Sequence, residues 1–280
     1  MATDVSHELG EPRHNAAMGP RRVSDRYAAR IASFERCVAL EVDGLVFVSE
    51  FLASAVFGDA PVAELGTWTV LPNFLPDDWG VSGGEVPEGD KRDLVTVGRL
   101  SPEKNHDFIL DVVAEGRRYG RDLTLTIVGS GPEEGRLRER CAALGLDDLV
   151  VFAGMSTDVA SIARRHRAYL HGSLHETFGI VLIEAMAVGL PVFAPPVEGV
   201  PEVFDDGVEG RYLALESAPR SAATLVAALD DDAWMQQASA AARRRVDSSF
   251  RTSVVGPKLE QFLFDVLEPG ARSADPVADD

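Results

Sequence analysis

Two carboxylates stand out in the stretch "HETFGIVLIEAMAVGLPV", residues 175–192. Glu184 is the only charged residue in an apolar run that predicts a helix from 178 to about 188, with Thr177 as its N-cap. A helix that is apolar on nearly every side is buried, and an isolated carboxylate there is costly unless another group binds it. Glu184 therefore either forms a structural ion pair with an arginine from a neighbouring element or binds a ligand hydroxyl or cation.

The second carboxylate, Glu176, lies eight positions before Glu184. Eight residues of helical rise span ~12 Å, which exceeds the roughly 5–9.5 Å that separates the paired carboxylates of glycoside hydrolases. The spacing suits the two ends of an extended ligand instead. Between them, the backbone amides of Phe178, Gly179 and Ile180 are expected to be free at the helix N-terminus, which favours anions. The order carboxylate, anion site, carboxylate fits a sugar, a diphosphate and a ribose.

A second candidate anion site is the loop "VGRLSPEKN", residues 97–105, which follows a predicted strand and contains Arg99 and Lys104. Ligands of open α/β sheets bind at the carboxyl ends of the strands. The chain has a formal net charge of −18, so two cations in one loop indicate a local cradle for phosphate oxygens. A solvated loop with incidental basic residues is the alternative interpretation.

The composition, 45% hydrophobic and 26% charged over 280 residues, is typical of a soluble globular protein with a sizeable core. No apolar run reaches the ~18 residues of a membrane span, and the first residues lack the pattern of a signal peptide. We therefore expect a cytoplasmic protein. The net charge argues against a broad nucleic-acid-binding surface, and Cys37 and Cys141 are predicted to be buried, reduced thiols.

From residue 93 onward, short apolar runs alternate with amphipathic segments, the pattern of βαβ units on a parallel sheet. The predicted fold class is α/β, with a doubly wound, Rossmann-like sheet. Strands are predicted to begin at Leu94, Leu123, Leu149, Ala168 and Pro191, and helices near Asn105, Glu133, Asp158 and Phe178. The segment "GRYLAL" predicts one further strand.

The remaining segments predict the domain organisation. Residues 1–75 are too few for a second complete α/β domain, with a loose stretch over 1–23, a helix from 24 to about 42, the strands "GLVFVS" and "TWTVLPN", and the helix "EFLASAVFG" between these strands. The sequence then predicts a linker at 76–92, a nucleotide-binding domain at 93–250, a terminal helix at 251–268 and a disordered tail at 269–280.

The glycine-rich stretch "VGSGPEEG" does not match a dinucleotide-binding fingerprint. Its glycines, Gly129, Gly131 and Gly135, do not have the G-x-G-x-x-G spacing, and they follow the second strand of the predicted domain instead of the first. A tight turn from strand to helix is the interpretation we prefer.

Five motifs between residues 94 and 215 resemble a known family in both order and spacing: "VGRLSPEKN", "IVGSGPEEGRLR", "VVFAG", "HGSLHETFGIVLIEAMAVGLPV" and "EGVPEVFDDGVEGRYL". They are similar to the C-terminal, donor-binding domain of family-4 retaining glycosyltransferases of the GT-B fold. The segments "VFVSEFLASAVF" and "VLPNFLP" resemble the end of that family's N-terminal domain and its hinge. Residues 1–75 would then be a truncated remnant of the N-terminal, acceptor-side domain.

The resemblance implies transfer of a sugar from a nucleotide-diphosphate sugar to an acceptor, with retention of anomeric configuration. It implies that cations neutralise the diphosphate without a metal or other cofactor, that Glu184 holds the ribose, that Glu176 contacts the sugar and that the base lies near the second and third strands. The catalytic residues implied are Glu176, Arg99 and Lys104, and the substrate-binding residues are Gly98, Gly129, Gly154, Met155, Thr177, Phe178, Gly179, Ile180, Glu184 and Gly199.

Two departures from the family pattern keep alternatives open. The family has two glycines where this chain has Gly199 and Val200, so the valine either narrows the sugar pocket or turns outward. The short N-terminal part allows a second hypothesis, a non-catalytic donor-binding subunit that depends on a protein partner or on self-association, with little transfer by the chain alone. A nucleotide-sugar epimerase is a third. His171 has no assigned role, and His106 and His175 are only neighbours of the predicted site.

Overall fold

The computed structural model describes residues 42–57, 67–81 and 91–267. The chain divides into two compact units, a smaller one formed by Met1–Pro72 with Gly256–Asp280 and a larger one formed by Asn73–Val255. The helix predicted from 24 to about 42 falls almost wholly outside the described residues. So do the loose stretch 1–23, Cys37, positions 82–90 of the predicted linker and the tail at 269–280.

The smaller unit contains a parallel pair of strands, β1 (Gly44–Phe47) and β2 (Thr67–Val70), with helix α1 (Glu50–Phe57) between them in the chain. Phe47 and Ala53 form its buried core, and the rings of Phe47 and Trp68 meet edge to face with centroids 6.1 Å apart. The two strands and the helix predicted for this part of the chain are confirmed.

The larger unit is built on a six-stranded, wholly parallel sheet with the order β5-β4-β3-β6-β7-β8. The predicted α/β class and the doubly wound parallel sheet are confirmed. The six strands are β3 (Arg92–Val97), β4 (Leu125–Val128), β5 (Val150–Gly154), β6 (His166–Leu170), β7 (Val192–Ala194) and β8 (Gly210–Tyr212).

Helices lie between these strands and after the last of them in the chain, and α2 packs against α7 and α5 against α8. The bounds are α2 (His106–Glu115), α3 (Glu134–Ala143), α4 (Val159–Arg164), α5 (Ile180–Ala187), α6 (Val200–Val203), α7 (Ala218–Leu229), α8 (Asp232–Ser249) and α9 (Thr252–Leu267). No helix within the described ranges has both the length and the hydropathy needed to cross a bilayer.

The central strands are apolar because both of their faces are covered. Leu94 and Val95 of β3, Ile127 of β4, Ala168 of β6 and Phe193 of β7 are all fully buried. The strand order reverses between β3 and β6, since the chain continues to β4 and β5 on one side and to β7 and β8 on the other. In such sheets the crevice at this reversal, outside the carboxyl ends of the strands, is where ligands bind.

Glycines allow β3, β4 and β5 to approach one another at their carboxyl ends. A Cβ atom on Gly129, whose φ is +138°, would lie 1.9 Å from the carbonyl oxygen of Gly98. The amide of Gly129 also donates a hydrogen bond to the carbonyl oxygen of Gly154, at 2.8 Å. These three predicted site residues therefore lie side by side along one edge of the sheet.

Leu75 and the first residues of the predicted linker form hydrogen bonds with the residues that follow α8. The amide of Leu75 donates to the carbonyl oxygen of Phe250, at 2.8 Å. The guanidinium of Arg251 donates to the carbonyl oxygens of Pro76 and Trp79, at 3.1 and 2.9 Å. All of these residues belong to the larger unit.

Candidate functional site

Helix α5 begins at Ile180, later than the sequence predicts, and Gly179 is its N-cap with a left-handed φ of 95°. The prediction that Thr177 is the N-cap is wrong, because the chain still needs the left-handed turn at Gly179 before it can enter the helix. The amides of Gly179 and Ile180 have no acceptor in a preceding helical turn, so they remain available to an anion.

Glu184 is a half-buried carboxylate on α5, and its apolar helix neighbours Leu182, Ile183, Ala185 and Met186 are buried. Burial raises the pKa of Glu184. Within the ranges that the structure describes, its carboxylate has no ion pair and accepts no hydrogen bond. The described residues therefore do not support the alternative of a structural ion pair with an arginine.

Glu176 is held at one of its two carboxylate oxygens. Lys104 Nζ donates a hydrogen bond to Oε2 at 2.8 Å, and His171 Nε2 lies 3.5 Å from the same oxygen. No donor in the described part of the chain contacts the other oxygen, Oε1. The site thus presents one fixed carboxylate oxygen and one open one.

The protonation states in this cluster follow from burial and from the neighbouring groups. Burial acts to raise the pKa of Glu176, but His171 and Lys104 outweigh it and lower that pKa to about 2. Burial is also the main cause that lowers the pKa of His171, against the opposing effect of Glu176. At neutral pH, Glu176 is therefore an anion beside a neutral imidazole and an ammonium group.

The backbone of Glu176 is fixed by Glu198, a residue that the sequence analysis missed. Glu198 Oε2 accepts a hydrogen bond from the amide of Glu176 at 2.7 Å, and its Oε1 lies 2.8 Å from His175 Nδ1. The amide of Gly199 donates to the carbonyl oxygen of Glu176 at 3.0 Å. Glu198 has a left-handed φ of 48°, which is uncommon for a residue other than glycine.

The adjacent positions explain why this loop is tight. A Cβ atom on Gly199 would lie 2.0 Å from the carbonyl oxygen of Thr177, so only glycine fits there. Val200 begins helix α6 and is completely buried. Of the two alternatives for this valine, a side chain turned outward is therefore excluded.

The loop after β3 is tied to the segment that carries Glu176. Lys104 ends a 3-10 turn over Pro102–Lys104, and the carbonyl oxygen of Glu103 accepts a hydrogen bond from the amide of Leu174 at 2.9 Å. The side chain of Arg99 is exposed and makes no hydrogen bond or ion pair with the described residues. The Ser101 hydroxyl is the main cause that lowers the pKa of Glu103, and the charges of Arg99 and Lys104 add to it.

A buried hydroxyl lies at the centre of this cluster. Tyr169, on β6, donates a hydrogen bond to the carbonyl oxygen of Val97, at the end of β3, at 3.1 Å. Burial is the main cause that raises the pKa of Tyr169, and the negative charges of Glu184 and Glu176 both raise it further. Both carboxylates therefore act on one hydroxyl at the reversal of strand order.

The remaining predicted residues differ in their burial. Phe178 is buried and meets the ring of Phe250 edge to face at 5.7 Å, while the side chain of Ile180 is exposed. Met155 follows Gly154 at the end of β5 and is 81% exposed, so it can contact a ligand at the edge of the sheet. In chemical terms, the site offers two cations to an anion and two carboxylates to hydroxyl groups.

No metal site accompanies this cluster in the part of the chain that the structure describes. No group of three or more His, Cys, Asp and Glu side chains is arranged there to hold an ion. Metal independence stays a prediction.

The larger unit has the Rossmann-like α/β fold found in GT-B glycosyltransferases. The chain is similar to Anabaena Alr3699/HepE in complex with UDP and glucose, with a TM-score of 0.72 and 21% sequence identity over 83% of this chain and 67% of that one. It is also similar to sucrose-phosphate synthase from Thermosynechococcus elongatus, with a TM-score of 0.75 and 20% identity over 90% of this chain and 65% of that one.

The chain belongs to the family described as "Glycosyl transferases group 1", which matches residues 83–245. Among its relatives, alpha-D-kanosaminyltransferase of Streptomyces kanamyceticus is 28% identical over 61% of this chain and 45% of that protein. Glycogen synthase of Mycobacterium tuberculosis is 28% identical over 91% of this chain and 61% of that protein. The chain thus spans about half to three fifths of the length of these two relatives.

Proposed function

We propose that this protein transfers a sugar from a nucleotide-diphosphate sugar to an acceptor with retention of anomeric configuration, as a family-4 enzyme, and that the described site binds the donor. The observation that carries the proposal is the half-buried carboxylate of Glu184, which has neither an ion pair nor a hydrogen bond among the described residues. A buried carboxylate requires hydroxyl or cationic partners. The two ribose hydroxyls of a nucleotide are suitable donors, and carboxylates accept such bonds well.

The diphosphate is proposed to lie between the N-terminus of α5 and the loop after β3. The amides of Gly179 and Ile180 face an anion with the positive end of the helix dipole. Arg99 and Lys104 supply cationic charge from the opposite side. One of the three N–H groups of Lys104 donates to Glu176, which leaves two for phosphate oxygens.

The same arrangement supplies the electrostatics of sugar transfer. When the bond between the anomeric carbon and the diphosphate oxygen breaks, negative charge grows on the diphosphate. Cations and helix amides that face this position stabilise that charge. Glu176 orients the sugar, because its open oxygen Oε1 accepts a hydrogen bond from a sugar hydroxyl.

The base is proposed to lie over the carboxyl ends of β4 and β5. Gly154 leaves open space there, since an added Cβ atom would meet nothing within 4 Å. Met155 is an exposed apolar group that can cover one face of a base. Gly98 keeps the end of β3 close to Gly129, and Gly199 keeps the loop after β7 close to Thr177.

Titration calorimetry with UDP, GDP and ADP in the presence of EDTA tests the donor site. We expect one of the three nucleotides to bind, and Glu184→Ala to weaken its binding by ~1–3 kcal/mol, the cost of losing charge-assisted hydrogen bonds. Glu139→Gln is the matched control, since Glu139 is an exposed carboxylate on α3. Absence of binding by all three nucleotides, or equal binding by the Glu184→Ala and Glu139→Gln variants, would contradict the proposal.

The alternative proposal is a donor-binding subunit that depends on a partner for turnover. It predicts the same nucleotide binding, so the two are separated by the reaction itself. A radiolabelled nucleotide sugar incubated with the protein and a panel of acceptors gives a retained-configuration product in the first case. In the second, the nucleotide sugar binds and stays intact until a partner protein is added.

A further inference from the structure

His171 follows the last residue of β6 and is buried to 3% exposure. Its Nε2 atom is enclosed and forms no well-aligned hydrogen bond. A buried donor without an acceptor is unfavourable, and Glu176 Oε2, 3.5 Å away, is the acceptor that this nitrogen faces. Its ring is also stacked at 6.1 Å on that of Tyr169, so the imidazole cannot readily turn away.

The same carboxylate oxygen receives Lys104, whose side chain is 29% exposed and flexible. Lys104 has a second task in the proposed site, since it also faces the diphosphate. A lysine that moves toward phosphate would leave Oε2 with no partner unless another donor is fixed beside it. His171 is enclosed and stacked on Tyr169, whereas the long side chain of Lys104 is partly exposed.

We propose that His171 is the positioning residue of Glu176: its Nε2–H holds Oε2 in place so that Oε1 alone faces the ligand and accepts one sugar hydroxyl. The assignment rests on the proposed function only for the identity of that hydroxyl. The arrangement of His171, Glu176 and Lys104 is a property of the protein itself and can be measured without a ligand.

Several other charged or titratable groups surround this contact. Lys104 contacts Glu176 from the 3-10 turn, His171 acts on His106 of α2, and the ring of Tyr169 on β6 stacks on that of His171. Glu198 holds the backbone of Glu176 from the loop after β7, and Glu184 acts on Tyr169 from α5. His106 is buried, with a pKa lowered to about 4 mainly by that burial, so it adds no positive charge at neutral pH.

The test is the titration of Glu176 in the protein without nucleotide, followed by NMR of ¹³C-labelled glutamate side chains and assigned with Glu176→Gln. We expect His171→Leu, which removes the donor but keeps the volume, to raise the pKa of Glu176 by about one pH unit. We expect His171→Gln, whose amide can donate from nearly the same place, to leave the pKa close to that of the wild type. A merely structural role of His171 would give no such difference between the two variants.

His166→Gln is the matched control, since His166 is a buried histidine at the other end of β6 that bonds Thr126 and Ile162. It should not change the titration of Glu176. An unchanged Glu176 titration in His171→Leu would overturn the proposal, whether or not any nucleotide binds. If His171→Leu fails to fold, ¹⁵N NMR of labelled histidines in the wild type decides: a proton on His171 Nε2 at neutral pH supports the proposal, and a proton only on Nδ1 refutes it.

Discussion

Glu198 has a left-handed backbone conformation that glycine adopts more easily than any other residue. Its two carboxylate oxygens engage Glu176 and His175 at 2.7 and 2.8 Å. These contacts offset the strain of a left-handed residue, which costs roughly 1–2 kcal/mol. Nothing in the sequence distinguishes Glu198 from a surface charge, but in the fold its carboxylate holds the backbone of Glu176.

Two substitutions at this position separate the contacts from the strain. Glu198→Ala loses both contacts but keeps the strained backbone, so we expect a loss of about 1–3 kcal/mol in the free energy of unfolding. Glu198→Gly loses the same contacts and relieves the strain, so it should be more stable than the alanine variant by roughly 0.5–1 kcal/mol. Urea denaturation measures both values, and equal stabilities would show that the left-handed backbone stores no strain.

Glu184 could be predicted as a site residue because a charge in an apolar run is conspicuous, and Glu176 could be predicted from its spacing to Glu184. Sequence reasoning did not find Glu198 or a role for His171. Glu198 reaches Glu176 across 22 positions of the chain, and this contact depends on the path of the loop after β7. The position of His171 at the carboxyl end of a predicted strand was the one signal that could have singled it out.

Among the elements, the close approach of β3 and β4 depends on Gly129. Gly129→Ala adds a Cβ atom 1.9 Å from a backbone carbonyl oxygen, at a φ of +138° that side chains rarely adopt. We expect a loss of at least about 2 kcal/mol in the free energy of unfolding and weaker nucleotide binding, because the loop after β3 must move. Thermal denaturation and calorimetry measure the two effects.

Gly135→Ala is the matched control for this prediction, since Gly135 lies in α3 with nothing within 4 Å of its added Cβ atom. Alanine there should stabilise the protein by up to about 1 kcal/mol through its higher helix propensity. If the two glycine variants had the same stability, the close approach at Gly129 would not matter to the fold.

Element types were predicted well because buried parallel strands and amphipathic helices have distinct patterns of apolar residues. The start of α5 was predicted wrongly. Thr177 has the side chain of a good N-cap, but the left-handed turn at Gly179 determines where the helix begins. The terminal helix, predicted at 251–268, spans Thr252–Leu267 and includes Pro257. At α5, the side-chain preference of Thr177 gave way to the backbone conformation at Gly179.

On the scale of the whole molecule, the parallel sheet places all of the proposed donor contacts at one edge. Residues from β3, β4, β5 and β6 and from the loops after them meet there because parallel strands point their carboxyl ends in the same direction. The order of the strands, with its reversal between β3 and β6, was implied by the doubly wound class. The individual contacts between loops were not, since they depend on backbone geometry that no periodic pattern encodes.

The central claim is that a nucleoside diphosphate lies across the N-terminus of α5, between Glu184 and Glu176. The most direct measurement is a crystal structure of the protein with the nucleotide sugar that binds in calorimetry. We expect the ribose hydroxyls within hydrogen-bond distance of Glu184, phosphate oxygens on the amides of Gly179 and Ile180, and a sugar hydroxyl at Oε1 of Glu176. A nucleotide bound elsewhere, or one bound here with Glu184 turned away from the ribose, would contradict the claim.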